Sequence, residues 1–471
     1  MKKNAFIKII AVGAFTFLFA LQLSAKAPKY VFYMIGDGMG INEVYGAQVY
    51  NRATGNGPEN INFFQFPVRT FVTTYSATSL VTDSAAAGTA LATGNKTYND
   101  AMGVGVDKNP VSNICEWAQA AGFGTGVATT VGVNHATPAA FYAHTASRAE
   151  YETIVDQYIA SKIDFAAGGG IINEKKKTGH DSGYLENKVV AAGIPILRGE
   201  QLKTAGTHKD RILCLASDTK ITDLPYALDR KEGDTKLADF VQAGVDYLYN
   251  NFSRKGFFFM VEGGSIDHAG HGDDGVADFW EVNDFAEAMD VVLAFYNQHP
   301  NETLIVVTAD HETGGLHPGA GKYEMSPALL ATQRKSEDVI SNEYKEFLTV
   351  GEGKELPSWD EVKGFFKERL GLWDTIKVDP RTEATFRASY ERARMHDGGE
   401  NVVSLYYVSN KIVSDAIDYA NRAAGYSWAH GVHTGSPVGL YAKGVGESEF
   451  LKCRDNTDIP KTIARLAKFN K

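Results

Sequence analysis

Short apolar runs recur along the chain with little polar alternation: Tyr30–Ile35, Phe71–Tyr75, Gly126–Val131, Arg211–Leu215, Phe257–Val261 and Leu304–Thr308. They are too brief for helices and rich in Val, Ile and Phe, the pattern of strands buried on both faces. Helical stretches lie between them, among them Asn113–Ala121, Tyr151–Ser161, Thr235–Tyr249 and Gly275–Tyr296. Strand and helix in alternation predict an α/β fold with a mostly parallel central sheet and helices on both faces. From about residue 318 the pattern changes. Ser326–Leu348, Trp359–Leu370, Pro380–Met395 and Ser404–Ala424 read as helices rich in alternating Lys and Glu. They predict a helical insertion at about 318–426, on one edge of the core, with an independent second domain as the alternative. Strand patterning returns at Val438–Ala442.

Composition narrows this picture modestly. At 471 residues, 44% hydrophobic and 22% charged, the chain is ordinary for a globular protein. Its net charge of −10 excludes a basic nucleic-acid footprint. An acidic protein that binds an anion needs a local positive centre, such as a metal or a placed Arg. Lys2, Lys3 and Lys8, the uncharged run Ile9–Leu23 and the small residues Ser24, Ala25 and Ala27 predict a signal peptide over residues 1–25. Export to the periplasm is the expectation, with release from the cell as the alternative. No other stretch is apolar enough to span a membrane. Cys115, Cys214 and Cys453 allow at most one disulfide, match no zinc spacing and read as buried hydrophobes.

Metal-binding chemistry gathers where the strands end, which is where open parallel sheets place their functional groups. The first strand runs into Gly36-Asp37-Gly38, and Gly126–Val131 into Asn134-His135-Ala136-Thr137. Phe257–Val261 runs into Glu262, then Asp267 and His271; Leu304–Thr308 runs into Asp310-His311. One Asp after a strand is commonly a cap or turn residue. Four such loops with carboxylates and imidazoles are hard to explain that way. Asp267 and His271 are spaced to share one face of a helical turn. His433 lies far downstream, just before the returning strand. Mixed Asp and His ligands suit zinc, whereas the oxygens of Asp37, Thr137 and Glu262 suit magnesium.

Thr82-Asp83-Ser84-Ala85-Ala86-Ala87-Gly88 opens a helix predicted to run to about Thr93 and to end at Gly94. Ser84 at such a start reads either as an N-cap or as a nucleophile at an anion-favouring helix terminus. No Ser-His-Asp pattern accompanies it. The many metal ligands favour a serine activated by metal, without a separate base. Arg148 suits a planar clamp for a dianionic phosphate, though its position alone marks only a surface cation.

Together these motifs resemble the alkaline phosphatases, metal-dependent phosphomonoesterases with a Ser nucleophile. The resemblance rests on Gly36-Asp37-Gly38-Met39-Gly40, Thr82-Asp83-Ser84-Ala85-Ala86-Ala87-Gly88, Asn134-His135-Ala136-Thr137-Pro138-Ala139, Glu262-Gly263-Gly264-Ser265-Ile266-Asp267-His268-Ala269-Gly270-His271, Asp310-His311-Glu312-Thr313-Gly314-Gly315 and His433-Thr434-Gly435. It implies a first zinc on Asp267, His271 and His433, and a second on Asp37, Asp310 and His311 that also binds Ser84. It implies a magnesium on Asp37, Thr137 and Glu262, Arg148 as the phosphoryl clamp, and a homodimer. His135 and His268 stand where the best-known bacterial enzymes carry Asp and Lys, while animal members have His at both. The expectation is a less direct magnesium shell and altered phosphate affinity.

The metal core also resembles those of phosphodiesterases, sulfatases and phosphoglycerate mutases. A sulfatase wants a modifiable Cys or Ser in a different local motif. A diesterase usually lacks the Arg clamp and the third metal site, so Arg148, Thr137 and Glu262 favour a monoesterase. A binding protein that has lost catalysis is the remaining alternative. The expected substrate is therefore a small phosphate monoester, with no nucleic-acid partner and no membrane association after signal removal.

Overall fold

A computed structural model describes residues 27–173, 183–319, 321, 323–349, 356–395, 400–403, 405–406 and 408–469. The expected signal peptide lies outside them. Strands β1 (Tyr30–Gly36), β2 (Val68–Val72), β3 (Gly124–Thr129), β4 (Phe165–Gly168), β5 (Ile196–Arg198), β6 (Ile212–Leu215), β7 (Phe257–Gly263) and β8 (Thr303–Ala309) belong to one sheet. Four two-residue strands and a hairpin of two three-residue strands follow: β9 (Glu312–Thr313), β10 (His317–Pro318), β11 (Asn401–Val403), β12 (Val408–Asn410), β13 (Tyr426–Ser427) and β14 (His433–Thr434), with β11 and β12 forming the hairpin. β15 (Val438–Gly444) then returns to the large sheet, whose order is β2-β15-β8-β1-β7-β3-β4-β6-β5. β15 runs against both its neighbours; every other pairing in that sheet is parallel. All residues of β1, β3, β7 and β8 are buried, as the apolar runs of β1, β7 and β8 predict; β3 is buried with two threonines in it.

Register brings the functional loops level. Gly36 pairs with Gly263 on one side and Ala309 on the other. Asp37, the turn after Gly263 and Asp310 thus leave the sheet side by side, while Thr129 of β3 pairs with Glu262. Gly38, at φ 71°, makes this approach possible: a Cβ there would lie 2.7 Å from Asp267 Cα.

Several elements depart from the sequence pattern. β2 lies three residues before Phe71–Tyr75, because Thr73 already bonds to the Arg454 carbonyl instead of continuing the ladder. β4 and β5 are too short to stand out by periodicity. Ser326–Leu348 is not one helix: a 3₁₀ segment, Pro327–Thr332, precedes a helix over Glu337–Leu348. The Ser336 hydroxyl caps that second helix, and Asp274 holds the break by accepting from Gln333 Nε2 at 2.7 Å and the Glu337 N–H at 2.6 Å. Helix Lys411–Ala424 begins seven residues later than Ser404–Ala424 predicts, since Val402, Val403 and Val408 suit the β11–β12 hairpin and Asn410 caps the helix. Among the described residues no helix is long and apolar enough to cross a membrane. Cys115, Cys214 and Cys453 are buried free thiols.

Candidate metal centre and nucleophile

Ser84 is the first residue of helix Ser84–Thr93, and its neighbour Asp83 is the cap, accepting the Ala86 N–H at 2.9 Å. Capping therefore does not occupy the Ser84 hydroxyl. That hydroxyl lies 3.1 Å from His311 Nε2, in a fully buried setting. Gly94 ends the helix in the left-handed region at φ 70°, as its sequence position predicts.

Around Ser84 the strand ends bring most of the candidate ligands together. Three groups each place their ligand atoms within 4.8 Å of one another: Asp267, His271 and His433; Asp37, Asp267 and His311; and Asp37, His135 and Glu262. Asp310 joins the second group from its edge, with Oδ2 3.3 Å from His311 Nε2, while its Oδ1 accepts from the Gly38 and His311 N–H groups at 3.1 and 2.8 Å. Thr137 reaches the third group, donating to Asp37 Oδ2 at 3.4 Å. His135, expected beside that group, contributes a ring nitrogen to it. The His271 and His433 Nε2 atoms lie 3.1 Å apart. Their Nδ1 atoms face the Gly431 and Thr82 carbonyls at 2.8 and 2.9 Å, which turns both Nε2 atoms toward Asp267.

Such crowding of acids calls for cations. Two like charges about 4.8 Å apart repel by about 3 kcal/mol at an effective dielectric near 20. Burial, then repulsion from Asp310, Asp267 and Glu262, pushes the Asp37 carboxyl well up. Burial and Asp267 do the same to Asp310, and burial raises Glu262 to about 7. Asp267 goes the other way: burial would raise it, but the imidazoles of His271, His433 and His311 hold it below the usual carboxylate range. Burial holds His135, His268 and His311 low, which favours their neutral rings. Among the described residues, Asp37 Oδ1, Asp310 Oδ2 and Glu262 Oε1 are buried without a hydrogen-bond donor. Unsatisfied buried oxygens beside neutral imidazoles are what a metal site requires of its protein. The residues therefore fit divalent metal.

Arg148 supplies the protein's own positive charge here. Its guanidinium lies 3.5 Å from Asp83 Oδ2 and 3.0 Å from His135 Nε2, which ties it both to the residue preceding Ser84 and to the third ligand group. His268 is buried, and its ring stacks on Tyr406 with centroids 3.5 Å apart. Sequence reasoning missed Tyr406, because its stretch reads as helix. It also passed over the Thr313 and Thr129 hydroxyls, which donate to Asp267 and Glu262. Thr313 stands inside a quoted motif, so its place could have been found; nothing in the sequence marks Tyr406.

Comparisons with known proteins extend over nearly the whole chain. Residues 28–469 match the family described as alkaline phosphatase. Alkaline phosphatase 4 of Bacillus subtilis (strain 168) is 31% identical over 454 residues, covering 94% of this chain and 89% of its own. The crystal structure of the cold-active alkaline phosphatase from a psychrophilic Shewanella species superposes with a TM-score of 0.75 at 31% identity, covering 93% of this chain and 99% of that one. A His-to-Asp variant of the alkaline phosphatase from the Antarctic bacterium TAB5, described with magnesium bound in its M3 site, has a TM-score of 0.64 at 25% identity and covers 95% and 100%. With its strand-end acids and imidazoles, its buried Ser84 and this breadth of similarity, the chain belongs to the alkaline phosphatase family.

Proposed function

We propose that this chain is a phosphomonoesterase that transfers the phosphoryl group first to Ser84 and then to water. The observation that carries the reading is the Ser84 hydroxyl, free of capping duty and 3.1 Å from His311, a member of one of three overlapping groups of candidate metal ligands. Two zinc ions, held by Asp267, His271 and His433 and by Asp37, Asp310 and His311, with one magnesium on Asp37, Thr137 and Glu262, would supply Lewis-acid charge that lowers the pKa of the attacking hydroxyl and stabilises the departing oxygen.

The protein's own groups do the rest. Ser84 Oγ attacks phosphorus, the bond to the leaving oxygen breaks, and a phosphoserine forms. Water then attacks the phosphoserine, the Ser84 oxygen leaves, and inorganic phosphate is released. Arg148 clamps the non-bridging oxygens throughout, with Asp83 and His135 fixing the guanidinium. First-turn N–H groups of the Ser84 helix add to the positive field. His135 brings nitrogen to the magnesium position, a donor less suited to that ion than oxygen. The magnesium-bearing His-to-Asp variant of the TAB5 enzyme supports placing a magnesium site in this fold.

We assign residues 28–471 to one catalytic unit with the helices of 318–426 inserted into it, preceded by a signal peptide over 1–25. Export to the periplasm follows from that segment, and a homodimer from the family resemblance. The test is turnover of a chromogenic monoester, diester and sulfate, each with and without chelator. Monoester turnover that chelation abolishes is expected; faster diester turnover would overturn the reading.

A further inference from the structure

Tyr406 reaches the metal centre from the turn between β11 and β12, in the inserted region. Its hydroxyl donates to Asp267 Oδ2 at 3.0 Å. Its ring stacks on His268 with centroids 3.5 Å apart and planes 28° apart, and lies 5.4 Å from the His271 ring. The other carboxylate oxygen, Asp267 Oδ1, accepts from Thr313 Oγ1 and lies 3.4 Å from His271 Nε2 and 3.5 Å from His433 Nε2. One hydroxyl thus holds each oxygen of Asp267: Thr313 from the core, Tyr406 from the insertion. The pair fixes the rotation of the carboxylate and aims Oδ1 at the two imidazoles.

We propose that Tyr406 is a positioning residue for the Asp267–His271–His433 metal group, and that through it the inserted region sets how tightly that group holds zinc. The inference rests on the reading of Asp267 as a zinc ligand. A donor to a ligating carboxylate orients it before the ion arrives, and loss of such a partner typically lowers metal affinity by about 10- to 100-fold. Each carboxylate oxygen has two lone pairs, so accepting from Tyr406 leaves Asp267 Oδ2 able to ligate as well. The stacked ring does a separate job: it seats the hairpin on His268 and keeps the hydroxyl in reach.

Tyr406→Phe separates the two jobs, because it keeps the ring and removes the donor. The experiment titrates zinc into chelator-stripped full-length protein against a competing chelator, for wild type, Tyr406→Phe, Tyr406→Ala and Ser84→Ala. In Tyr406→Phe one zinc site is expected to weaken by about 10- to 100-fold while the other binding steps and the melting temperature of the loaded protein stay as in wild type. Monoester turnover in that variant should fall at limiting zinc and recover with excess zinc. Tyr406→Ala should weaken the same site at least as much. Wild-type zinc affinity in Tyr406→Phe would overturn the proposal, as would equal weakening at every site. Ser84→Ala keeps the two questions apart: unchanged turnover in it would sink the phosphatase mechanism, while its zinc titration still reports on the ligand groups.

Discussion

Ser84 Oγ lies 3.1 Å from Nε2 of His311. In isolation that contact looks like a nucleophile with its general base. The surroundings of His311 say otherwise. Its Nε2 is also 3.3 Å from Asp37 Oδ1 and 3.3 Å from Asp310 Oδ2, whereas Nδ1 faces the Thr313 hydroxyl at 3.2 Å. A Ser-His-Asp relay places its acid at the far nitrogen and leaves the near one for the serine alone. Here the acids crowd the near nitrogen, which is the arrangement of ligands around an ion. Two outcomes follow. Ser84→Ala should lower monoester turnover by at least about 10³-fold while the metals remain bound, as measured by elemental analysis beside the kinetics. Chelator-stripped wild type should be inactive and regain turnover with zinc; activity retained without metal would require His311 as the base.

Arg148→Ala should raise KM for monoesters and weaken inhibition by phosphate by about 10- to 100-fold, the loss of hydrogen bonds to a charged group. Arg148→Lys should recover only part of this, because an ammonium cannot match two oxygens in one plane. Phosphate inhibition constants for the three proteins provide the check, and unchanged constants would remove Arg148 from the clamp.

His135→Asp should tighten magnesium binding by about tenfold, since it replaces nitrogen with a charged oxygen donor at the Asp37–Glu262 position. It also deprives Arg148 of its 3.0 Å contact with His135 Nε2, so phosphate affinity should change in the same variant. Calorimetric titration of each ligand reads both effects.

Metal removal should destabilise the protein. Asp37, Asp267, Asp310 and Glu262 are all fully buried in one cluster, so stripping leaves these carboxyl groups crowded together without a cation between them. A ligand at a thousand times its dissociation constant contributes about 4 kcal/mol per site. A thermal melt with and without chelator should show a drop of many degrees; equal melting temperatures would mean the groups hold no metal.

Glu337 fastens helix Glu337–Leu348 to helix Lys411–Ala424: its carboxylate accepts from the Ser414 hydroxyl, deep in the interior. Burial raises it from its ordinary 4.5 to about 8, with the hydroxyls of Ser409 and Ser414 partly offsetting. The folded state therefore holds a proton that the unfolded chain has lost. Its stabilising contribution is complete below the ordinary carboxylate range and fades as pH rises to about 8. The slope from this one group is at most about 1.4 kcal/mol per pH unit. Glu337→Gln cannot ionise, so its melting temperature, measured with saturating metal, should fall less than that of wild type between pH 5 and pH 9.

Much of this was legible in the sequence because it depends on local chemistry. The unbroken apolar runs of β1, β7 and β8 marked buried parallel strands, and acids and imidazoles directly after them marked the ligand loops. Ser84 was visible as a helix start but ambiguous as a cap; only the bond from Ala86 to Asp83 shows which residue caps. Tyr406 was illegible, since its role depends on a hairpin meeting a helix 139 positions earlier. The break before Glu337 was hidden for the same reason: its partner Asp274 lies 63 positions away.

β15 enters the sheet between β2 and β8, and His433 comes just before it. During synthesis Asp37, Ser84 and Asp267 are all made well before His433 exists. A nascent chain therefore carries Ser84 and most of the clustered acids and imidazoles but lacks one corner of the Asp267–His271–His433 group until β15 can dock. The Asp267–His271–His433 group therefore closes only when the strand that completes the sheet docks and brings His433 Nε2 to 3.1 Å from His271 Nε2.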